Sequence, residues 1–134
     1  MECKCAFKTI IILLFISTFN ISCIDMFSDD SYSLVGNIEC IHTDGTTLKG
    51  YSLELKIGES IHQSIIEENI IKLLGNDSVI YVKSFENKDT NFYSVEHIMG
   101  KKILNVLQID VEKYDSLTTS SKFKYQFPKE NNIQ

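Results

Sequence analysis

Three histidines, four cysteines and 18 carboxylates are the side chains through which this sequence could do chemistry. His42, His62 and His97 share no mutual spacing that would set two ligands on one metal ion. His42 and Asp44 flank a predicted turn, and Glu96 and His97 alternate across one predicted strand. A working carboxylate–imidazole pair would therefore need a tertiary contact, and all three histidines are expected on the surface. Gly58-Glu59-Ser60-Ile61-His62 has the Gly and Ser of a nucleophile elbow but lacks the second Gly and the strand–helix frame. Neither a Gly-rich phosphate loop nor an Asp/Asn calcium loop is present in the sequence. The expectation is no catalytic residue, no cofactor and no metal.

The remaining reactive residue is Cys23, and its setting is informative. Lys4 and Lys8 give a positive start, and Thr9 to Phe19 is an apolar run. Its length suits an export signal and is too short to span roughly 30 Å of hydrocarbon as a helix. The run ends in Asn20-Ile21-Ser22-Cys23, which resembles the lipobox of bacterial lipoproteins. There a small residue precedes a cysteine that is diacylated and becomes the new N-terminus. Ser22 and Ile21 suit the pattern; Asn20 departs from it, since an aliphatic residue is usual at that place. The resemblance implies a signal peptide over 1–22, palmitate-type lipidation of Cys23, and a polar, acidic tether over 23–30. The alternatives are ordinary cleavage with free secretion, or an uncleaved anchor.

Cysteine usage agrees with that reading. Cys3 and Cys5 would leave with the signal and Cys23 would be capped, so Cys40 alone would stay in the mature domain. No internal disulfide is expected, and no C-x-x-C is present.

Charge excludes one class of partner. Every one of the 13 basic residues is Lys. Removing 1–22 takes away Lys4, Lys8 and Glu2, so the mature net charge is 11 minus 17, or −6, against −5 for the whole chain. An acidic domain without Arg lacks the concentrated positive charge and planar bidentate donors that phosphate backbones need, so no nucleic acid is expected.

The elements that would position these residues are mostly strands. The segment 68–83 has two apolar runs, Ile70 to Leu74 and Val79 to Val82, across Gly75-Asn76-Asp77-Ser78. That predicts a hairpin at the centre of the core. Asn76-Asp77-Ser78 also spells a glycosylation acceptor, read here as a turn. Tyr32 to Ile41 reads as one strand with a bulge at Gly36, and Asp44-Gly45 as a hairpin turn. Tyr51 to Ile57 alternates strictly, with Leu53 and Leu55 inward. Residues 58–74 are ambiguous between helix and strand. Ser60 and Gln63 have capping-box spacing, but the turn after Leu74 favours strand over 69–74, preceded by loop or one helical turn.

Further on, 84–90 reads as a polar loop and 91–98 as a strand with Phe92 or Tyr93 inward. A turn follows at 99–102, then an apolar run over 103–107. Val111, Tyr114 and Leu117 repeat at helical spacing behind Asp110 as N-cap. Phe123, Tyr125 and Phe127 alternate into a last strand, and 129–134 reads as a disordered tail. The aromatics at 92, 93, 123, 125 and 127 are expected as core and cross-strand pairs, in preference to a ligand groove. The expected core is Leu53, Leu55, Ile70, Ile80, Val82 and Phe92. The fold expected is one mainly β domain over 31–128, a single antiparallel meander or small curled sheet or barrel with a short C-terminal helix.

From Ile65 to Leu117 this order resembles small bacterial lipoproteins of unknown function. The shared pattern is Ile65-Ile66-Glu67-Glu68-Asn69, the turn at Asn76-Asp77, a strand ending in Lys83, Asn91-Phe92-Tyr93, and a short helix with Tyr114 and Leu117. The resemblance implies strand at 69–74 and an envelope location, and brings no site residue. The function expected is a membrane-anchored, non-catalytic binding or scaffolding domain, whose partner, if a protein, the sequence does not name. An immunity-type protein that neutralises a toxin domain and a small envelope enzyme are the alternatives.

Overall fold

A computed structural model describes residues 31–44 and 49–129. The expected signal segment, Cys23, the tether, the Asp44-Gly45 turn residues 45–48 and the tail 130–134 lie outside the described residues.

Over the described residues the chain is mainly β and antiparallel, with one short helix, as expected. Its strands divide between two sheets and close no barrel. The first sheet is a meander of β1 (Ser31–Val35), β2 (Ile38–Asp44), β3 (Lys49–Lys56) and β4 (His62–Ile66). The second has the order β8-β7-β6-β5-β9, built from β5 (Asn69–Gly75), β6 (Val79–Glu86), β7 (Asp89–Ile98), β8 (Lys102–Ile109) and β9 (Tyr125–Phe127). Helix α1 (Val111–Ser120) lies between β8 and β9 in sequence.

Period-two alternation explains how the sheets meet. In the first, Ile38 pairs with Leu55, Cys40 with Leu53, and Leu53 with Ile66. In the second, Leu73 faces Val82 and Phe127, and Ile80 faces Val95. These inward residues, with Ile70, form one buried cluster between the sheets. Of the expected core, Leu53, Leu55, Ile70, Ile80 and Val82 are in it. Phe92 is not. It lies half-buried on the opposite face of β7, with its ring 4.8 Å from Tyr114 of α1. Tyr93 sets the inward face instead. The helix starts where expected: the Asp110 carboxylate accepts from the Lys113 backbone N–H at 2.7 Å.

Three boundaries differ from expectation. Tyr32 to Ile41 is two strands, because Gly36 at φ 54° makes a turn, so β1 doubles back on β2. Residues 62–66 are a strand, where loop or one helical turn was expected; buried Ile66 pairs with Leu53, and His62, Gln63 and Ser64 pair along β3, with a register shift at Ile65. The polar loop at 84–90 shrinks to Asn87-Lys88, both at positive φ, a two-residue hairpin turn that extends β6 and β7 on either side.

The molecule has two unlike ends. One gathers the turns at Gly36-Asn37, Asn76 to Ser78 and Met99 to Lys101, which bond to one another. The other holds the Asn87-Lys88 turn and the ends of β2 and β3 at Asp44 and Lys49, while Ser31, where the chain enters β1, pairs with Ile41 part-way along β2.

Candidate interaction surface

His97 is the clearest departure from expectation. It is 3% exposed, where a surface position was expected. Its Nε2 is 3.1 Å from the Asn76 carbonyl oxygen, and its Nδ1 accepts from the Gly100 N–H at 2.9 Å. That pairing fixes the neutral tautomer with the proton on Nε2. The Asn76 carbonyl also accepts from Tyr125 Oη at 3.0 Å, and the His97 N–H donates to the Ser78 carbonyl at 2.9 Å. His97 therefore ties the β5–β6 turn, the β7–β8 turn and the approach to β9. Its face was legible: 93, 95 and 97 share one side of the strand, with Val95 fully buried.

Burial lowers the His97 pKa from its ordinary 6.5; the Asn76 carbonyl and Asp77 oppose that shift and are outweighed. The sign follows directly. An unfolded chain takes up a proton near pH 6.5 that the folded chain refuses, so stability present above 6.5 is lost as pH falls toward the lowered folded value. Denaturant titrations should show a fall in stability below about pH 6.5 in the parent and a flatter profile in His97→Gln. Parallel profiles would mean that His97 titrates as if exposed.

The other histidines are peripheral. His62 Nε2 lies 3.2 Å from Glu39 Oε2 on the outer face of the first sheet, where Glu39 and Glu54 stand opposite each other as like charges. The His42 ring lies 5.0 Å from that of Tyr51. The aromatics named in the sequence share no groove. Phe92 meets Tyr114, Phe123 meets Tyr81, Tyr125 reaches the Asn76 carbonyl, and Phe127 meets Tyr32 and Tyr51. Among the described residues no group of three or more His, Cys, Asp or Glu is placed to hold a metal ion.

The densest polar cluster is one that sequence reasoning missed. Glu68, in the short link between β4 and β5, accepts from Ser84 Oγ at 2.5 Å, from Asn91 Nδ2 at 3.0 Å and from Tyr93 Oη. Its donors come from β6 and β7, 16 to 25 residues away, so no local spacing announces it. Desolvation pushes the Glu68 carboxyl up, but the three donors together outweigh it and hold its pKa below the ordinary value. Burial, the hydrogen bond to Glu68 and the nearby charges of Glu68 and Glu86 push Tyr93 up to about 12. A general base or acid working near neutrality needs the opposite tuning. The cluster holds the sheets together at this edge.

Beside it lies a hollow of about 280 Å³ lined by Ile65, Ile66, Glu67, Glu68, Glu86, Tyr93 and Val106. It sits between β4 and β8, each the last strand of its sheet. Among the described residues nothing pairs with the outer edge of β8. That strand carries Leu104, Val106 and Leu107, which are 54%, 39% and 47% exposed. Val106 pairs with buried Val95 on the inner face and Leu107 with Ser94 on the outer. A register shift opposite Glu96/His97 leaves Leu104 unpaired. An open edge with apolar side chains beside a carboxylate-lined hollow can accept an extended segment by strand addition.

No family model matches this chain, and neither a curated protein nor a solved structure matches it.

Proposed function

We propose that this chain is a non-catalytic binding domain, held at the bacterial cell envelope by lipid on Cys23, that takes an extended segment of a protein partner along β8. The open β8 edge, with Leu104, Val106 and Leu107 exposed beside Glu67, Glu68 and Glu86, is the observation that carries the reading. Main-chain bonding along an edge supplies affinity, and flanking side chains supply selectivity. The carboxylates favour a partner with basic residues. The anchor is supported by the positive start, the short apolar run and Ser22 before Cys23. Among the described residues no helix is long and apolar enough to cross a membrane. One acyl chain holds a protein only marginally, whereas two hold it firmly.

Neutralisation of a toxin domain is the second reading, favoured by the same acidic hollow. A photo-crosslinker at Val106 in cells separates the readings. It should give one discrete adduct that is lost in Leu107→Glu, and the adduct's own activity tells toxin from scaffold. Absence of an adduct at 106, with the variant folded and membrane-bound, removes the binding function from this edge.

A further inference from the structure

We infer that the segment taken along β8 is β8 of a second copy of this chain, the two strands running antiparallel about a two-fold axis; this rests on reading β8 as the binding edge. The edge is unlike at its two ends. It starts at Lys102, after the turn in which the Lys101 N–H donates to the Ile98 carbonyl, and finishes at Ile109, before Asp110. Lys101 and Lys102 are exposed at the start. Lys56 and Glu59 share a hollow with Lys101, and Asp77, from the neighbouring turn, is paired with Lys124. At the finish, Glu67, Glu68 and Glu86 line the hollow that Val106 also lines. Asp89, which pairs with Glu86, adds to them, as do Asp110 and Glu112 at the start of α1; Lys88 and Lys113 offset two of these charges. The start of the edge is therefore net basic and the finish strongly acidic. Glu96 stands between them, opposite Asn105. The exposed apolar residues of the strand, Leu104, Val106 and Leu107, also lie between the two ends.

An edge of this kind complements itself. A two-fold axis near Val106 and Leu107 sets the apolar middle of one strand against that of the other. It also sets Lys101 and Lys102 of each copy beside the acidic finish of the other, and symmetry repeats the gain. A parallel pair would place like charges together at both ends, which is unfavourable. The basic residues that the acidic hollow favours are thus carried on the same strand. Residues 105–109, past the bulge at Leu104, keep a regular ladder with β7 and are the part able to extend it to a further strand. Pairing would join the two second sheets into one of ten strands, five from each copy. It would leave no β8 edge free, so this contact closes at two copies. Ser31 begins β1 and Lys129 follows β9, each at the opposite edge of its sheet from β4 and β8.

Reciprocal charge swaps in the full-length protein test this. One chain carries Lys101→Glu with Lys102→Glu, the other Glu67→Lys with Glu86→Lys; all four positions are exposed, and both chains should melt like the parent. Each carries a photo-crosslinker at Val106 and its own affinity tag, and the two are made separately or together in cells. The parent should give an adduct of two chains. Either swap alone should cut that yield about tenfold, because like charges then meet at both ends. Made together, the swapped chains should recover it as a mixed adduct bearing both tags, since the altered ends complement each other. No recovery in the mixture, with both chains melting like the parent, overturns self-pairing. So does a parent adduct to a different protein, which would keep β8 as the binding edge and give it to another partner. Absence of any adduct from the folded parent removes the edge reading and the self-pairing together.

Discussion

Replacing Ile80 by Ala is expected to lower the unfolding free energy by about 2–5 kcal/mol, among the largest losses a single truncation can cause here. Ile80 is fully buried and pairs with Val95 on β7 and with Gly75 on β5. Its neighbours come from both sheets, so collapse around the missing atoms would have to move strands as well as side chains. The lost transfer energy and the residual cavity then add. Ile57→Ala removes the same atoms at a site 60% exposed and should stay within about 0.5 kcal/mol. Equal effects of the two substitutions in urea titrations would contradict the two-sheet core.

Gly100→Ala is expected to be comparably damaging by a different route. Gly100 has φ 70°, where a non-glycine residue costs about 1–3 kcal/mol before any contact is counted. An added Cβ would overlap the Val35 carbonyl oxygen and stand 2.6 Å from the Val35 carbonyl carbon. Gly36 is packed reciprocally; a Cβ there would come within 2.6 Å of the Met99 carbonyl oxygen. The β1–β2 and β7–β8 turns thus lie backbone on backbone, joined by the Asn37 N–H donating to the Gly100 carbonyl at 3.0 Å. Prying them apart also strains the bond from the Gly100 N–H to His97. Gly58→Ala is the control, since its new Cβ would approach nothing closer than 3.5 Å. A thermal melt in which both alanines leave the midpoint unchanged would show the turns to be separable.

What could be read from the residues depended on how local the causes were. The hairpin across Gly75 to Ser78 was legible because Asn76 builds it from within. Its side-chain oxygen accepts from the Ser78 and Val79 N–H groups at 2.9 and 3.1 Å. The strict alternation of β3 and the Asp110 cap were legible for the same reason. Strand β4 was not, because Ser60 and Gln63 mimic a helix start while its reason to extend is pairing with β3. Gly36 was visible as a special residue, but bulge and turn differ only in what the next strand does. The pattern of Phe92 could not say which face of β7 the core would cover, since α1 gives the other face an apolar partner in Tyr114. The Glu68 cluster was out of reach, its donors meeting only after both sheets assemble.

The proposed function places this domain at a membrane through lipid on Cys23. Mass spectrometry of the N-terminal peptide from the native, membrane-extracted protein tests this most directly. The expected result is a mature chain that begins at Cys23 and carries the added mass of diacylation, with Cys23→Ser released from the membrane fraction or left as unprocessed precursor. An unmodified N-terminus at Ile24 or later would contradict the account and make this a freely secreted domain.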